Sequence, residues 1–307
     1  MPNQAPDLGL EFDGEMLVAQ TNLIAYRKIY GLETWLRRIC LAAWMARFGE
    51  KWSQKIDPRL RTILERRVRQ NRQRLYLGAE SHDDLMWQAT HGELLQMLVA
   101  NEIADSIRAI TGTDASFLQG KLQEIREIRN LLAHNRALSE RTHIILSGLL
   151  AALAETVDTF KARVLYGPYD ILDDHDGWIG SRLAARLRNN DWSQFQAFAA
   201  KQENFLQYVC LPAGFESHHG WPDARLLLNA FSDQLEGIVA FCLNKQGYEF
   251  IILTPLTLPT DSQNILCDTF ARNPNVWTKS EFEAQQPRYI CSPKIWFYEN
   301  GSPPSGV

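Results

Sequence analysis

In the run Ile125-Arg-Glu-Ile-Arg-Asn-Leu-Leu-Ala-His-Asn-Arg-Ala-Leu138, Arg129 is followed at once by Asn130 and, five residues on, by His134. These three types suit the cutting of a phosphodiester without a metal. Histidine titrates near neutral pH and can take or return a proton. Arginine keeps its charge and can meet negative charge growing on a phosphate. An amide can orient either the phosphate or the imidazole. If the nucleophile is a neighbouring 2′-hydroxyl, the substrate is RNA and the products are a 2′,3′-cyclic phosphate and a 5′-hydroxyl. The competing reading is a structural histidine near a helix end. With 23 arginines and 7 histidines in 307 residues, about 0.5 such spacings arise by chance, so the surroundings must decide.

Those surroundings are helical. Leu122, Ile125, Ile128 and Leu132 fall on one apolar stripe, and Arg126, Asn130 and His134 recur at four-residue steps on a polar face. Arg129 sits at the edge of the apolar stripe. Five residues at about 100° each set Arg129 and His134 roughly 140° apart. Local unwinding near His134, or a second copy of the chain, must therefore bring them to one substrate. A two-fold pair would also supply both an acid and a base from a single histidine per copy.

The rest of residues 16–163 reads as helices. Leu32, Trp35, Leu36, Ile39 and Ala43 mark an amphipathic helix that begins near Thr21 and stops at Gly49. A second is predicted over Pro58–Arg74, a third over His82–Ile110, then the motif helix, and a last over Ile144–Arg163. Four or five helices with modest loops predict an up-and-down bundle. The second helix carries seven arginines against one glutamate between Arg59 and Arg74. Its Arg66, Arg67 and Arg69, together with Arg126, are candidate RNA-backbone contacts, and a solvated, ion-paired face is the alternative.

Beyond Leu165-Tyr-Gly-Pro168 the pattern changes. Helical stretches are predicted at Ile179–Leu187, Trp192–Ala200 and Asp223–Phe231. They alternate with strands at Phe205–Leu211, Ile238–Leu243, Tyr248–Leu253 and Ile295–Tyr298. Residues 237–253 read as a hairpin turning at Asn244–Gly247, with Pro255 and Pro259 ending its second strand. The expected organisation is a helical bundle over residues 1–165, followed by an α+β domain over 166–307 with a small, mainly antiparallel sheet.

Tyr26-Arg-Lys-Ile-Tyr-Gly-Leu-Glu-Thr-Trp-Leu-Arg37, the basic second helix and Glu127-Ile-Arg-Asn-Leu-Leu-Ala-His-Asn-Arg-Ala-Leu-Ser139 together resemble a HEPN domain. Such domains are small helical bundles found in many toxins and antiviral ribonucleases. The resemblance covers roughly the first half of the chain. It implies that Arg129 and His134 hold the catalytic positions and Asn130 the polar position after the arginine. It also implies an RNA substrate, a homodimer and a toxin or defence role. Some members carry a tyrosine two residues after the histidine and are paired with a nucleotidyltransferase; Arg136 stands there in this chain. The second half resembles no family we can name, and its expected role is to sense a protein or small-molecule trigger and control the bundle. A noncatalytic HEPN-like dimerisation module with a ligand- or partner-binding second half is the alternative. A catalytic site would leave Arg129 and His134 in an open basic groove, whereas an interaction module would bury or pair them.

Other constellations point to chemistry less directly. Asp170-Ile-Leu-Asp-Asp-His-Asp176 could hold a divalent cation or be a solvated linker, and His218-His219 could supply ligands or a turn. No metal and no cofactor are expected. Glu33 and Arg37 belong either to the active groove or to a simple i,i+4 ion pair. Five scattered cysteines without a Cys-x-x-Cys pair predict thiols packed as small hydrophobes. A net charge of −4, termini unlike a signal peptide and no apolar run of membrane-spanning length make a cytoplasmic protein the default expectation. Alanine at Arg129 or His134 is expected to remove activity and leave the melt nearly unchanged.

Overall fold

The computed structural model describes residues 16–73, 84–134, 136–164, 195–202, 205–212, 237–244, 250–255, 258–259, 261–265 and 295–298. The first half is a helical bundle: α1 (Met16–Phe48), α2 (Pro58–Gln73), α3 (His91–Leu98), α4 (Ala104–Thr111), α5 (Ala115–Ala133) and α6 (Glu140–Val164). Short 3-10 turns occupy Gly49–Lys55, Leu85–Gln88 and Asn101–Ile103.

The helix α1 changes character along its length. Between Gln20 and Leu32 the buried residues are Ala25, Ile29 and Leu32, but from Ile39 to Ala46 every residue is buried, so the second half runs through the centre of the bundle. It stops where Gly49 takes a left-handed φ of 61°, a conformation that costs glycine little. Cys40 lies within the fully buried stretch; burial pushes its thiol up, and it packs as the small hydrophobe expected. Helix α2 starts as predicted. Pro58 needs no amide partner at the first position, and Asp57 Oδ1 accepts from the Arg59 and Leu60 amides at 2.9 and 3.0 Å.

The single helix expected over His82–Ile110 is instead two helices and two 3-10 turns. Thr90 and Glu93 form a capping box, with the Thr90 amide donating to Glu93 Oε2 at 2.8 Å, so α3 begins afresh at His91. Ala100 is extended, at φ −63° and ψ 130°, and breaks the chain again. The apolar period hid both breaks because Leu94, Leu95, Leu98, Ile103 and Ile107 all reach the same core.

Helices α5 and α6 complete the bundle. Leu118, Leu122, Ile125, Ile128 and Leu132 of α5 pack against the core, as do Leu146, Leu149, Leu153, Val157, Phe160 and Val164 of α6. By length and composition α6 is apolar enough to cross a membrane, which corrects the expectation that no segment reaches that length; 33% of its most apolar stretch is buried.

The later strands are β1 (Phe195–Gln202), β2 (Phe205–Pro212), β3 (Ala240–Asn244), β4 (Phe250–Pro255) and β5 (Ile295–Tyr298). They form one sheet in the order β1-β2-β4-β3-β5, antiparallel except between β3 and β5. The helix expected over Trp192–Ala200 is overturned: Phe195 to Gln202 pairs residue by residue with β2, from Phe195↔Pro212 to Gln202↔Phe205. Ala197, Ala199, Ala200 and Lys201 favour a helix locally, but a neighbouring strand satisfies the same backbone groups, and pairing prevails over propensity. The hairpin strands were legible: β3 and β4 pair antiparallel from Ala240↔Leu253 to Leu243↔Phe250, and β4 ends at Pro255. Val239, Ala240 and Leu253 join the same hydrophobic cluster as the bundle core, and Ser262 Oγ donates to Glu50 Oε2 at 3.3 Å. The helices expected at 179–187 and 223–231, the Asp170–Asp176 cluster, His218-His219 and the turn residues 245–247 lie outside the described residues.

Candidate functional site

The site is organised by a carboxylate that the sequence left ambiguous. Glu33, on α1, is 4% exposed and is surrounded by three basic side chains. Its Oε1 lies 2.9 Å from Arg129 Nε of α5 and 3.0 Å from His91 Nδ1 of α3. Its Oε2 accepts from Arg37 Nη2 at 3.4 Å, so the predicted i,i+4 pair exists, but as one contact of four side chains. Arg37 Nη2 also donates to the Ala89 carbonyl at 3.0 Å, and its guanidinium lies over Trp87 with 5.6 Å to the ring centroid. Burial alone would push the Glu33 carboxyl up. The His91 hydrogen bond, with the charges of Arg129 and Arg37, outweighs burial and holds it below the ordinary carboxylate range.

Arg129 therefore has two surroundings. Its Nε faces the buried carboxylate, while 32% of its side chain remains exposed. A guanidinium held at one edge and open at another can offer an oriented pair of donors to a phosphate. Asn130 is exposed on the next position of α5.

His134 is the exposed C-cap of α5, its amide donating to the Asn130 and Leu131 carbonyls at 3.2 and 3.3 Å. Its own φ of −97° and ψ of 20° keep it near the helical position, and the chain departs only beyond it. Unwinding thus begins too late to close the roughly 140° between Arg129 and His134. The turn after the motif is pinned from α1: Asn22 Nδ2 donates to the Arg136 carbonyl at 3.1 Å, and Asn22 Oδ1 accepts from the Leu138 amide at 3.4 Å.

The candidate backbone-binding arginines divide into two kinds. Arg66 and Arg69 are exposed on α2, and Arg126 is exposed on α5, where its guanidinium lies against Gly92 in the first turn of α3. Arg67 is committed within the fold. Its Nη2 donates to Glu93 Oε1 at 3.0 Å and its Nη1 to the Gln88 carbonyl at 2.9 Å, which ties α2 to the start of α3. Burial would push the Glu93 carboxyl up, but bonds from Arg67 and Thr90 hold it below its ordinary value. The exposed stripe is therefore smaller than the sequence suggested.

Two contributors escaped the sequence reading. His91 carried a signal, a histidine at the first position of the Thr90-His-Gly-Glu93 capping box and beside the apolar Leu94-Leu95, but the box itself was missed. Asn22 carried none, since its partners lie more than a hundred residues away. Among the described residues no group of three or more His, Cys, Asp or Glu side chains could hold a metal ion. The two discriminating residues split: Arg129 is paired and His134 is open to solvent. Compared with known proteins, the chain matches no family profile, no curated sequence and no solved structure.

Proposed function

We propose that the bundle is a HEPN-like, metal-independent endoribonuclease of a toxin or defence type. The observation that carries this reading is the exposed His134 at the end of the helix that also presents Arg129, partly exposed and braced by the buried Glu33. In this mechanism His134 moves the proton of the 2′-hydroxyl or of the leaving 5′-oxygen. Arg129 faces the phosphate and offsets charge that grows in the transition state. Asn130 orients the phosphate or the imidazole. RNA should be cut in EDTA to a 2′,3′-cyclic phosphate, and a 2′-deoxy substitution at the cut site should block the reaction. Cleavage that continues through a deoxy site would exclude this chemistry.

The active form in this proposal is a homodimer with a composite site. Leu23, Tyr26 and Tyr30 are exposed at helical spacing on α1, with Ile24 beside them. Ile144 and Ile145 are exposed at the start of α6, just past the turn that Asn22 pins. Large apolar residues exposed next to a charged helix end support a protein contact there. The double substitution Tyr26→Glu with Tyr30→Glu should convert the dimer to monomer in sedimentation velocity and lower cleavage with it. A wild-type chain that stays monomeric at micromolar concentration and cleaves in proportion to its amount would remove the composite site.

RNA-backbone binding is assigned to Arg66, Arg69 and Arg126. Neutralising Arg66 and Arg69 together should weaken RNA binding and lower the slope of log K against log salt by about 1 to 2, since each lost phosphate contact releases about one counterion fewer. Arg67→Gln should instead lower stability, because it removes the charged partner of Glu93 and leaves only its bonds from Thr90. An unchanged salt slope would return α2 to a solvated face. The second half, read as an α+β domain, is assigned control of the bundle through a protein or small-molecule trigger.

A further inference from the structure

We propose that His91 is a doubly protonated positioning residue that fixes Glu33 and, through it, the Arg129 guanidinium. The inference rests on the reading of Arg129 as the phosphate-facing cation. It begins from a stereochemical observation that does not depend on that reading. Both ring nitrogens of a histidine only 3% exposed face groups that accept hydrogen bonds: Nδ1 lies 3.0 Å from Glu33 Oε1, and Nε2 lies 3.1 Å from the Leu122 carbonyl. A neutral imidazole carries one N–H and one lone pair. Either neutral tautomer would set that lone pair against an oxygen lone pair in a buried site, and an unmade buried hydrogen bond costs about 1–3 kcal/mol. Two N–H groups satisfy both partners.

One neutral arrangement could escape this conflict, with a protonated Glu33 donating to Nδ1. It fails on the other charges around the carboxylate. Arg37 and Arg129 stay cationic and would lose the one carboxylate that, among the described residues, pairs with them. A second opposing effect is the position of His91 at the first residue of α3, where the helix dipole disfavours a cation by about 0.3–1 kcal/mol. That is smaller than the cost of the unmade bond, and Glu93 in the same turn offsets part of it. Burial of the ring and the nearby Arg37 and Arg129 charges oppose the cation as well. Against them stand the Glu33 carboxylate 3.0 Å from Nδ1 and the Leu122 carbonyl 3.1 Å from Nε2, which only a ring with two N–H groups can serve together.

The consequence is mechanical as well as electrostatic. The imidazolium bridges α1 and α5, the two helices that carry Glu33 and Arg129, from a third element. It removes one rotation available to the Glu33 carboxylate and so fixes which oxygen meets Arg129 Nε. With one anion among three cations, the cluster keeps a net positive charge that reaches solvent at Arg129, which suits a phosphate group.

The test uses the full chain with labelled histidine and arginine side chains. In wild type at pH 7.5, long-range proton–nitrogen spectra should show both His91 ring nitrogens protonated, with assignment by loss of the signals in His91→Gln. In Glu33→Gln the new amide can donate to Nδ1, so the ring should turn to the neutral Nε2–H tautomer. In His91→Gln the Arg129 Nε–H resonance should broaden, and kcat for RNA should fall about 10- to 100-fold while KM changes less than about threefold, as expected when a reacting group is misplaced rather than removed. A neutral His91 in wild type, or a folded His91→Gln protein with unchanged kcat and an unchanged Arg129 resonance, would overturn the proposal. If His91→Gln does not fold, Glu33→Gln carries the same test through ring tautomer, Arg129 resonance and kcat, and an unchanged Arg129 resonance overturns the coupling. If wild type cuts no RNA, the ribonuclease reading fails by itself, and the ring and arginine spectra still decide the role of His91.

Discussion

His134→Ala should lower RNA cleavage in EDTA by about a thousandfold, within the 10²–10⁴ that a positioned general acid or base contributes, and leave the melting transition nearly where it was. The imidazole is exposed, and the hydrogen bonds described for the residue are made by its backbone amide, which alanine keeps. Substitutions of that kind change stability by about 0.5 kcal/mol or less. Arg129→Ala should cost activity by a comparable factor, yet it cannot share the unchanged melt that the sequence led us to expect for both. Its Nε lies 2.9 Å from a carboxylate that is 4% exposed, so removal leaves Glu33 with less compensation. A third of the arginine side chain lies in water and His91 and Arg37 remain, which places the loss at about 1–2 kcal/mol, below the range for a fully buried pair. Residue 134 is thus the clean probe of chemistry and residue 129 the probe of chemistry and fold together. Measuring initial rates beside thermal melts for both variants checks the pair. Wild-type cleavage by the His134→Ala protein would end the ribonuclease assignment.

How much of this was legible follows from the range of the interactions involved. The bundle was readable because each helix announces itself through residues three and four apart, as Leu122, Ile125, Ile128 and Leu132 do in α5. Helix ends were readable where a local residue enforces them, as Gly49 and Pro58 do, but not at Ala89–Thr90 and Ala100, where the apolar period runs on across the break. In the second half the strands around Ala240 and Phe250 showed through their β-branched and aromatic content. The stretch from Phe195 did not, since its partner strand is what makes it one. At the site, the types and spacing of Arg129, Asn130 and His134 could be seen in one window of sequence. Their setting could not, because Glu33 meets Arg129 from a different helix, His91 meets Glu33 and Leu122 from 58 and 31 residues away, and Asn22 binds the Arg136 carbonyl from 114 residues away. The charge count misled for the same reason: Arg67 looks like its neighbours Arg66 and Arg69 until Glu93 is placed beside it.

Glu33→Ala should have the largest effect on stability of any single change at the site. It removes the anion that, among the described residues, alone pairs with Arg37, His91 and Arg129, leaving three basic groups facing one another in a largely buried space. Breaking a buried ion pair by deleting one partner costs about 3–5 kcal/mol, and the partial exposure of Arg129 argues for the lower end, about 3 kcal/mol. In a folded unit of this size that is a fall in melting temperature on the order of 6–12 °C. The pH dependence has a definite sign. Because the folded-state carboxyl is held below its ordinary value of 4.5, its contribution to stability is fully present above that value and is lost as pH falls through the lower folded value. The gap between wild type and Glu33→Ala should therefore be level from about pH 6 down to about pH 5 and narrow steadily at more acid pH. Denaturant titrations across that interval would test it. A gap that widens on acidification would mean that burial outweighs the surrounding positive charges, so that Glu33 is held protonated; in that case it could not brace Arg129 as a carboxylate, and the electrostatic frame proposed for the site would have to be abandoned.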